Sequence, residues 1–413
     1  MGEVMALCRA AKDASARLLG TRGEVRSAVL RSVAQALRAQ ATEILRENDR
    51  DVEAARVGGE NAAFIDRLTL NPKRIEDMAR GVEEIALQPD PVGEVAWSTV
   101  RPDGLSIRQE RVPIGVVCVI FESRPNVVTD IAALCLKSGN AAILRGGKEA
   151  FHSNQILGRI VSGAIAQGGL PPACVQVLAS TDRALMDELL KQKDHIDMVV
   201  PRGGEGLIRH VTEHSLIPVV KHDKGVCHTY IDANADGDMA VAVSVNAKVQ
   251  RPGTCNALET LLIHREFPQA RRVLEALHKA GVEIRGDADI QALAPFVKPA
   301  SDADWDTEYL DLILSAKQVG DLDEAIEFIR AHGTGHSEAI LTRDYENARR
   351  FRQRVDAACV FTNASTRLAD GSVFGLGAEV GISTQKLHAR GPMGARDLTC
   401  LKYIIEGSGQ IRT

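Results

Sequence analysis

The sequence predicts an α/β fold made of two doubly wound α/β domains and a small additional β-sheet. Three observations predict it: two successive alternations of strand-like and helix-like segments, and a hairpin pattern near residue 100 that a strand-like tail can extend. Between 115 and 232 the apolar runs GVVCVIF, AAILR, VQVLA and IDMVVP are separated by helix-length segments, the order that builds a parallel sheet covered on both faces. From about 237 to 385 LETLLIHR, LEALHKAGVEI, DLILSAK, AIEFIRAH, SEAILT and AACVFTN repeat the alternation. In such folds a nucleotide binds at the C-terminal edge of the sheet.

Ahead of the first alternation, residues 3 to 88 read as helix throughout. Val25, Val29, Val33 and Leu37 recur every fourth residue, with Arg and Gln on the other face, as in an amphipathic helix. At 94 to 111 Thr99, Val100, Leu105 and Ile107 flank the turn residues Pro102 to Gly104, a hairpin signature. The tail LTCLKYIIEGSGQIRT returns to strand character and can pair with that hairpin, giving a sheet that either covers an edge or joins subunits. A length of 413 residues calls for two domains or more.

Composition narrows the function classes. Apolar residues make up 45% and charged residues 25% of the chain, the balance of a globular protein. The net charge of -5 is spread without long blocks of one sign, so neither nucleic acid nor a lipid surface is expected as partner, and a small molecule is. The apolar runs are far shorter than the roughly 20 residues that cross a bilayer, and the opening segment reads as an amphipathic helix rather than a leader. A cytoplasmic location is expected. The eight cysteines, at 8, 118, 135, 174, 227, 255, 359 and 400, include no C-x-x-C pair, which speaks against a zinc site or a compact disulfide framework. Cys118, Cys135, Cys174, Cys227 and Cys359 lie in apolar runs and are expected to be buried.

Cys255 stands apart, in a turn of Pro252, Gly253 and Thr254 just before an apolar strand. Such a turn can present the sulfur to a cleft and offer it backbone N–H groups, which favour the thiolate; an ordinary packed loop cysteine is the competing reading. In FESRPNVVTD, Pro125 separates a strand end from a helix start, so Asn126 stands at the strand's C-terminal edge. Its amide suits a developing oxyanion, and capping the helix is the alternative. In KSGNAAILRGGKEA, Arg145, Gly146, Gly147 and Lys148 follow a buried strand. Two cations with glycines fit a phosphorylated nucleotide, and a solvated charge pair is the alternative. Gly203 and Gly204 of PRGGEGLIRHV open a helix after the next strand but one, where backbone N–H groups can hold an anion. No H-E-x-x-H, P-loop or G-x-S-x-G motif is present, so metallohydrolase, kinase and serine esterase chemistries are set aside and no metal is expected. His332 and His336 are four apart, yet Gly333 and Gly335 oppose a rigid helical metal site; a loop that orders a substrate is the preferred reading.

Together, ESRPNV, LKSGNAAILRGGKEA, PGTCNALET, VGDLDEAIEFIRAHGTGHSEAI and ASTRLADGSVFGLGAEVGIST resemble the γ-glutamyl phosphate reductases (glutamate-5-semialdehyde dehydrogenases) of the aldehyde dehydrogenase superfamily, across nearly the whole chain. The resemblance implies an aldehyde dehydrogenase-like fold. Residues 1–96 and 112–232 then form an NADPH-binding domain with a helical lead-in, 233–390 the catalytic domain, and 97–111 with 391–413 an oligomerisation hairpin and tail. It implies reduction of L-glutamate 5-phosphate by NADPH to glutamate 5-semialdehyde and phosphate, the second step of proline synthesis from glutamate, in a homo-oligomer. No kinase portion is present, so a glutamate 5-kinase must act elsewhere.

The resemblance also implies roles. Cys255 attacks the acyl phosphate, the Asn126 amide and the Cys255 N–H hold the oxyanion, and the resulting thioester accepts hydride. Hydrolytic relatives carry a glutamate base in the strand matching VVKHDKGVCHTYI; here Lys221, His222 and Asp223 occupy that region, as suits an enzyme that must not lose its thioester to water. Lys148 lies where NAD-using relatives have a glutamate and offers charge to the NADPH 2'-phosphate. Glu308 resembles the glutamate that meets the nicotinamide ribose. Arg124, Ser365 and Thr366, with Arg367, are polar candidates for substrate, with solvated loop roles as the alternative. A CoA-acylating aldehyde dehydrogenase would use the same thiol, and dependence on CoA would reveal it. A non-catalytic binding scaffold is the third reading; labelling by a thiol reagent with protection by substrate separates it from an enzyme.

Overall fold

The computed structural model describes residues 2–221 and 224–412. The chain divides into two compact units. The first runs to residue 221 and takes in Gly375–Gly381 and the chain from Met393 on; the second runs from Lys224 to Phe374 and takes in Ile382–Pro392.

The first unit opens with helices α1 (Gly2–Leu19), α2 (Gly23–Ala39), α3 (Ala41–Val57), α4 (Ala62–Leu68) and α5 (Pro72–Leu87). Asn61 and Asn71 cap the last two, accepting the Phe64 and Arg74 N–H groups at 2.8 Å, and Pro72 sits in the first turn of α5 where its missing N–H costs nothing. The buried face of α2 carries Val29, Leu30, Val33, Ala34 and Leu37, but Val25 is 40% exposed. A strict fourth-residue series drifts by about 40° per step on a helix of 3.6 residues per turn, so the first member leaves the face. Arg26 takes the buried place instead and pairs with Asp90 at 2.6 Å.

Strands β1 (Val95–Val100) and β2 (Ser106–Pro113) form the expected hairpin. Then follow β3 (Val116–Phe121), α6 (Val127–Lys137), β4 (Ala141–Arg145), α7 (Phe151–Gln167), β5 (Val175–Val177), α8 (Arg183–Leu189), β6 (Met198–Arg202) and α9 (Glu205–His214). The four strands from β3 to β6 pair in parallel in the order β5-β4-β3-β6. β3 and β4 are buried along their whole length, as strands covered on both faces must be. The chain winds outward from β3 to β5 and returns on the other side, so a topological switch point lies between β3 and β6.

The second unit contains β7 (Cys227–Ile231), α10 (Gly237–Val249), β8 (Leu258–His264), α11 (Ala270–Lys279), β9 (Glu283–Gly286), α12 (Ala288–Leu293), β10 (Lys298–Pro299), β11 (Ile313–Val319), α13 (Leu322–His332), β12 (Ser337–Leu341), α14 (Tyr345–Arg354) and β13 (Cys359–Thr362). Its parallel sheet has the order β10-β9-β11-β8-β7-β12-β13. Three points differ from the sequence expectation, one being that residues 391 and 392, expected in the tail, belong to the second unit. Residues 227–231 were expected in the first domain, yet β7 pairs with β8 and β12 and lies in the second unit. Residues 375–381, expected in the second, belong to the first. An apolar run encodes burial but not which sheet it joins.

Two short strands, β14 (Ile382–Ser383) and β15 (Gly391–Pro392), pair with each other, and β16 (Thr399–Glu406) runs antiparallel to β2 over its full length. In this three-stranded sheet, order β1-β2-β16, Trp97 and Tyr403 both register with Gln109. Trp97, Leu401, Tyr403 and Ile405 are exposed. Among the described residues no helix is long and apolar enough to cross a membrane.

Candidate active site

Cys255 lies in the turn that leads into β8, at the N-terminal edge of the second sheet. The turn is closed locally: Thr254 Oγ1 donates to the Arg251 carbonyl at 2.8 Å, and the Ala257 N–H to the Thr254 carbonyl at 2.9 Å. Cys255 is half-buried, whereas Cys8, Cys118, Cys135, Cys174, Cys227 and Cys359 are buried and Cys400 is exposed. Burial pushes the Cys135 and Cys174 thiols up to about 12, which keeps them protonated and inert.

The start of β7 forms a wall behind this turn. Gly225 packs so close that a Cβ there would stand 1.9 Å from the Cys255 carbonyl oxygen. Cys227 donates its thiol to that carbonyl at 3.2 Å and lies 3.7 Å from His336 Nδ1. Burial raises the Cys227 thiol well above its ordinary value, with Glu338, Cys255 and Glu259 adding to the effect. His336 is therefore a buried neighbour of the cysteine turn at the start of β12, while His332 ends α13 at the surface on Asp306, 2.9 Å away; the two histidines do not act as a pair. Among the described residues no cluster of three or more His, Cys, Asp or Glu is placed to hold a metal ion.

On the other side of the turn, Arg367 reaches the cysteine's neighbour. Its Nη1 donates to Asn256 Oδ1 and its Nε to Gln250 Oε1 at 2.9 Å, and Asn256 Nδ2 donates to the Ala369 carbonyl at 2.8 Å. Ser365, expected to meet substrate, has its hydroxyl accepting the Arg367 N–H at 3.3 Å, where it caps a short 3-10 turn. Thr366 is fully buried with a hydroxyl that finds no partner among the described residues. Below the turn, Glu259 of β8 pairs with Lys248 of α10 at 2.8 Å with both side chains fully buried, and it accepts the Tyr309 N–H at 3.4 Å. Burial raises the Glu259 carboxyl to about 7 against the pull of Lys248, and Glu308, half-buried beside Tyr309, raises it further. A glutamate inside the apolar run LETLLIH was the visible signal for this pair; that its partner is Lys248 was not visible.

Of the candidate cofactor residues, Arg145 to Lys148, Gly203 and Gly204 lie at the C-terminal edge of the first sheet, whereas Glu308 belongs to the second unit. Gly146 and Gly147 follow β4 and Gly203 and Gly204 follow β6. A Cβ on Gly147 would meet Glu149 at 2.3 Å, and one on Gly203 would meet the Glu122 carboxylate at 2.5 Å, so a side chain at either position would have to displace a glutamate tip. Glu122 was missed from sequence; its carboxylate accepts the Gly204 N–H at 3.1 Å at the start of α9. Lys148 is exposed. Arg145 is not a free edge cation: it is 9% exposed and donates Nη2 to the Thr181 carbonyl at 2.8 Å, and burial lowers its pKa. As the last residue of a buried strand it points inward and ties β4 to the loop after β5.

Asn126 precedes α6 with helical dihedrals (φ −56, ψ −24) and makes no side-chain cap bond, which removes the capping alternative. Its Nδ2 donates instead to Asp130 Oδ2 one turn on, at 2.8 Å, leaving the second amide hydrogen to point elsewhere. Burial raises the Asp130 carboxyl to about 6, opposed by Asn126 and Arg202. Arg124 is half-buried in the turn just before, its N–H on the Glu122 carbonyl at 2.7 Å. Lys221 closes the first unit; His222 and Asp223 lie outside the described residues.

Two parallel α/β units, one with a glycine-lined switch point and the other presenting a half-buried cysteine, are the parts of a dehydrogenase. The aldehyde dehydrogenase family model matches residues 2–302, and the chain belongs to that family. Within it, the gamma-glutamyl phosphate reductase of Carboxydothermus hydrogenoformans is 51% identical over 414 residues, 100% of both chains. That of Moorella thermoacetica is 50% identical over 412 residues, 99% of both. The crystal structure of the gamma-glutamyl phosphate reductase from Thermotoga maritima is 44% identical and matches with a TM-score of 0.96 over 100% of both chains. A propionaldehyde dehydrogenase of Rhodopseudomonas palustris, solved with bound CoA and an acylated cysteine, shares the fold at 14% identity, with a TM-score of 0.72 over 98% of this chain and 97% of that one.

Proposed function

We propose that the chain reduces L-glutamate 5-phosphate to L-glutamate 5-semialdehyde and phosphate with NADPH, through a thioester on Cys255. The observation that carries this reading is the placement of Cys255: a half-buried thiol in a closed turn at a sheet edge, in a chain about half identical from end to end to gamma-glutamyl phosphate reductases.

The Cys255 thiolate attacks the acyl carbon, and the carbonyl π electrons move to oxygen. The Cys255 N–H and the Asn126 amide are the proposed donors to that oxyanion, with Asp130 holding the amide in place. Collapse breaks the bond between the acyl carbon and the phosphate oxygen, whose electron pair leaves with phosphate, and the thioester remains. The glycine-lined edge at 146–147 and 203–204 fits a dinucleotide, since added Cβ atoms would fill the space beside the backbone, and exposed Lys148 supplies a cation suited to a 2'-phosphate. Glu308 is the proposed partner of the ribose. When bound, NADPH supplies the hydride that converts the thioester to a thiohemiacetal. It forms as the oxyanion, which re-forms its carbonyl as the C–S bond breaks and the thiolate is restored.

The same reading makes the enzyme a cytoplasmic homo-oligomer in proline synthesis, fed by a glutamate 5-kinase. The outward Trp97, Leu401, Tyr403 and Ile405 of the three-stranded sheet support subunit contact there.

The test is the reverse reaction: phosphate-dependent reduction of NADP by purified protein with glutamate 5-semialdehyde, comparing wild type with Cys255→Ala and NADP with NAD. Turnover that needs phosphate, prefers NADP and vanishes in the variant is expected. A need for CoA instead of phosphate, or full activity in Cys255→Ala, would overturn the proposal.

A further inference from the structure

Arg367 is anchored in an unusual way for a surface-loop arginine. Both of its hydrogen-bonded nitrogens are held by neutral amide oxygens, of Gln250 and Asn256. Among the described residues no carboxylate lies within ion-pair distance of it; Asp370 acts on it only from farther away. A half-buried cation with no paired anion among the described residues is costly unless an anion arrives, because burial disfavours the charged form.

The location of that charge is specific. Asn256, which holds the guanidinium, is the residue after Cys255, and Asn256 is 4% exposed and tied to the Ala369 carbonyl. The bond from Arg367 Nη1 to Asn256 Oδ1 therefore places the guanidinium one residue along the chain from the thiol. With Nε and one Nη1 hydrogen committed, the second Nη1 hydrogen and both Nη2 hydrogens remain for a ligand, a fork that matches two oxygens of one phosphoryl group.

We propose that Arg367 grips the phosphoryl group of the acyl phosphate beside Cys255 and carries the charge that develops on phosphate as it leaves. The proposal rests on the acyl-phosphate reading above and assigns the group that distinguishes a phosphorylated substrate from a free acid. As the carbon–oxygen bond breaks, the electron pair passes to the phosphate oxygen, where the guanidinium meets it. The phosphate takes up a proton from solvent, which balances the proton the thiol released on forming the thiolate. Arg367 lies in ASTRLADG, and on local sequence alone it is indistinguishable from a solvated loop cation.

The test is again the reverse reaction, with phosphate, semialdehyde and NADP varied separately at constant ionic strength. Arg367→Gln is expected to raise the KM for inorganic phosphate about 10- to 100-fold, the worth of one charge-assisted hydrogen-bond pair, with the KM values for semialdehyde and NADP within about twofold. Arg367→Lys recovers part of the loss. Without substrate or cofactor, inorganic phosphate slows alkylation of Cys255 by iodoacetamide in the wild type and loses that protection in Arg367→Gln. Because Arg367 also braces Asn256, a merely structural role would lower kcat and leave the phosphate KM alone; that result, or unchanged protection, overturns the proposal. Should Arg367→Gln fail to fold, Arg367→Lys decides by the same two readouts. Wild-type protein that needs no phosphate would overturn the acyl-phosphate reading together with this one, whereas phosphate-dependent wild type with an unchanged phosphate KM in the variant overturns this one alone.

Discussion

The thiol of Cys227 donates a hydrogen bond to the main-chain carbonyl of Cys255 at 3.2 Å. Two cysteines thus meet with opposite standing: one carbonyl is held by a buried sulfur that stays protonated, and the residue bearing that carbonyl presents its own sulfur from a half-buried turn. Iodoacetamide at neutral pH should modify Cys255 well before Cys227, as peptide mass spectrometry will read. Cys227→Ala should destabilise the fold by about 1–3 kcal/mol, the cost of losing a buried side chain's packing and its hydrogen bond, and lower kcat more than it alters any KM. Preferential labelling of Cys227 would contradict the assignment of the nucleophile.

Gly225→Ala probes the same wall from the backbone side. The new Cβ would stand 1.9 Å from the Cys255 carbonyl oxygen and 2.7 Å from its Cα, and neither is a flexible side-chain tip, so the turn itself must move. A displacement of the order of 1 Å at a reacting centre costs about 100-fold in rate. The variant should fold, with a loss of about 1–3 kcal/mol from overpacking, and show kcat reduced about 100-fold. Wild-type kcat in a folded Gly225→Ala would mean that the turn has slack and that its tight packing has no catalytic purpose.

Asp130 gives the first unit a defined pH response. Its carboxyl titrates near 6 in the folded protein because burial disfavours the charge, against about 3.9 in an unfolded chain. Between those values the folded state binds the extra proton, so stability falls as pH rises from about 4 to 6 and is level above. Asp130→Asn keeps an acceptor for the Asn126 amide but removes this slope. Relative to wild type the variant should gain on the order of 1–2 kcal/mol between pH 4 and 7, allowing for screening of a half-buried group. Thermal unfolding across that range checks it; parallel curves for the two proteins would refute the account. Asp130→Ala, which frees the Asn126 side chain to turn, should lower kcat about 10-fold or more.

Much of this organisation was legible in the sequence because burial writes itself into composition. Uninterrupted runs such as GVVCVIF and AAILR are strands covered on both faces, and the pairing of β2 with the tail followed from alternation on both. Cys255 was legible because a cysteine beside proline and glycine is out of place in an apolar run. What stayed hidden depends on partners distant in sequence. Whether 227–231 joins the first or the second sheet is decided by its hydrogen-bonded neighbours. Arg145 reads as an edge cation until its inward aim onto Thr181 is known, and the cap that Ser365 gives its own turn is not visible in the string of residues around it. The Asn126–Asp130 contact was the exception: a spacing of four on a helix start is visible in principle.

The Lys248–Glu259 pair is the sharpest case of such a hidden partnership, and it permits a quantitative prediction. Both side chains are fully buried at 2.8 Å, one Glu259 oxygen finds no partner among the described residues, and burial pushes the carboxyl up to about 7 and the ammonium down. The pair is thus a poor source of net stability, since desolvation consumes most of the Coulomb attraction. Removing one member is a different matter. Lys248→Met strands a buried carboxylate beside the strand that carries the Cys255 turn and should destabilise by about 3–5 kcal/mol, less at pH 5 than at pH 8, because protonation of Glu259 relieves it. Glu259→Gln strands an ammonium whose pKa is already depressed and should cost less. The double variant Lys248→Met/Glu259→Gln should recover much of the loss, giving a coupling of roughly 1–3 kcal/mol in a denaturant-unfolding cycle. Strict additivity would show that the two side chains do not interact energetically.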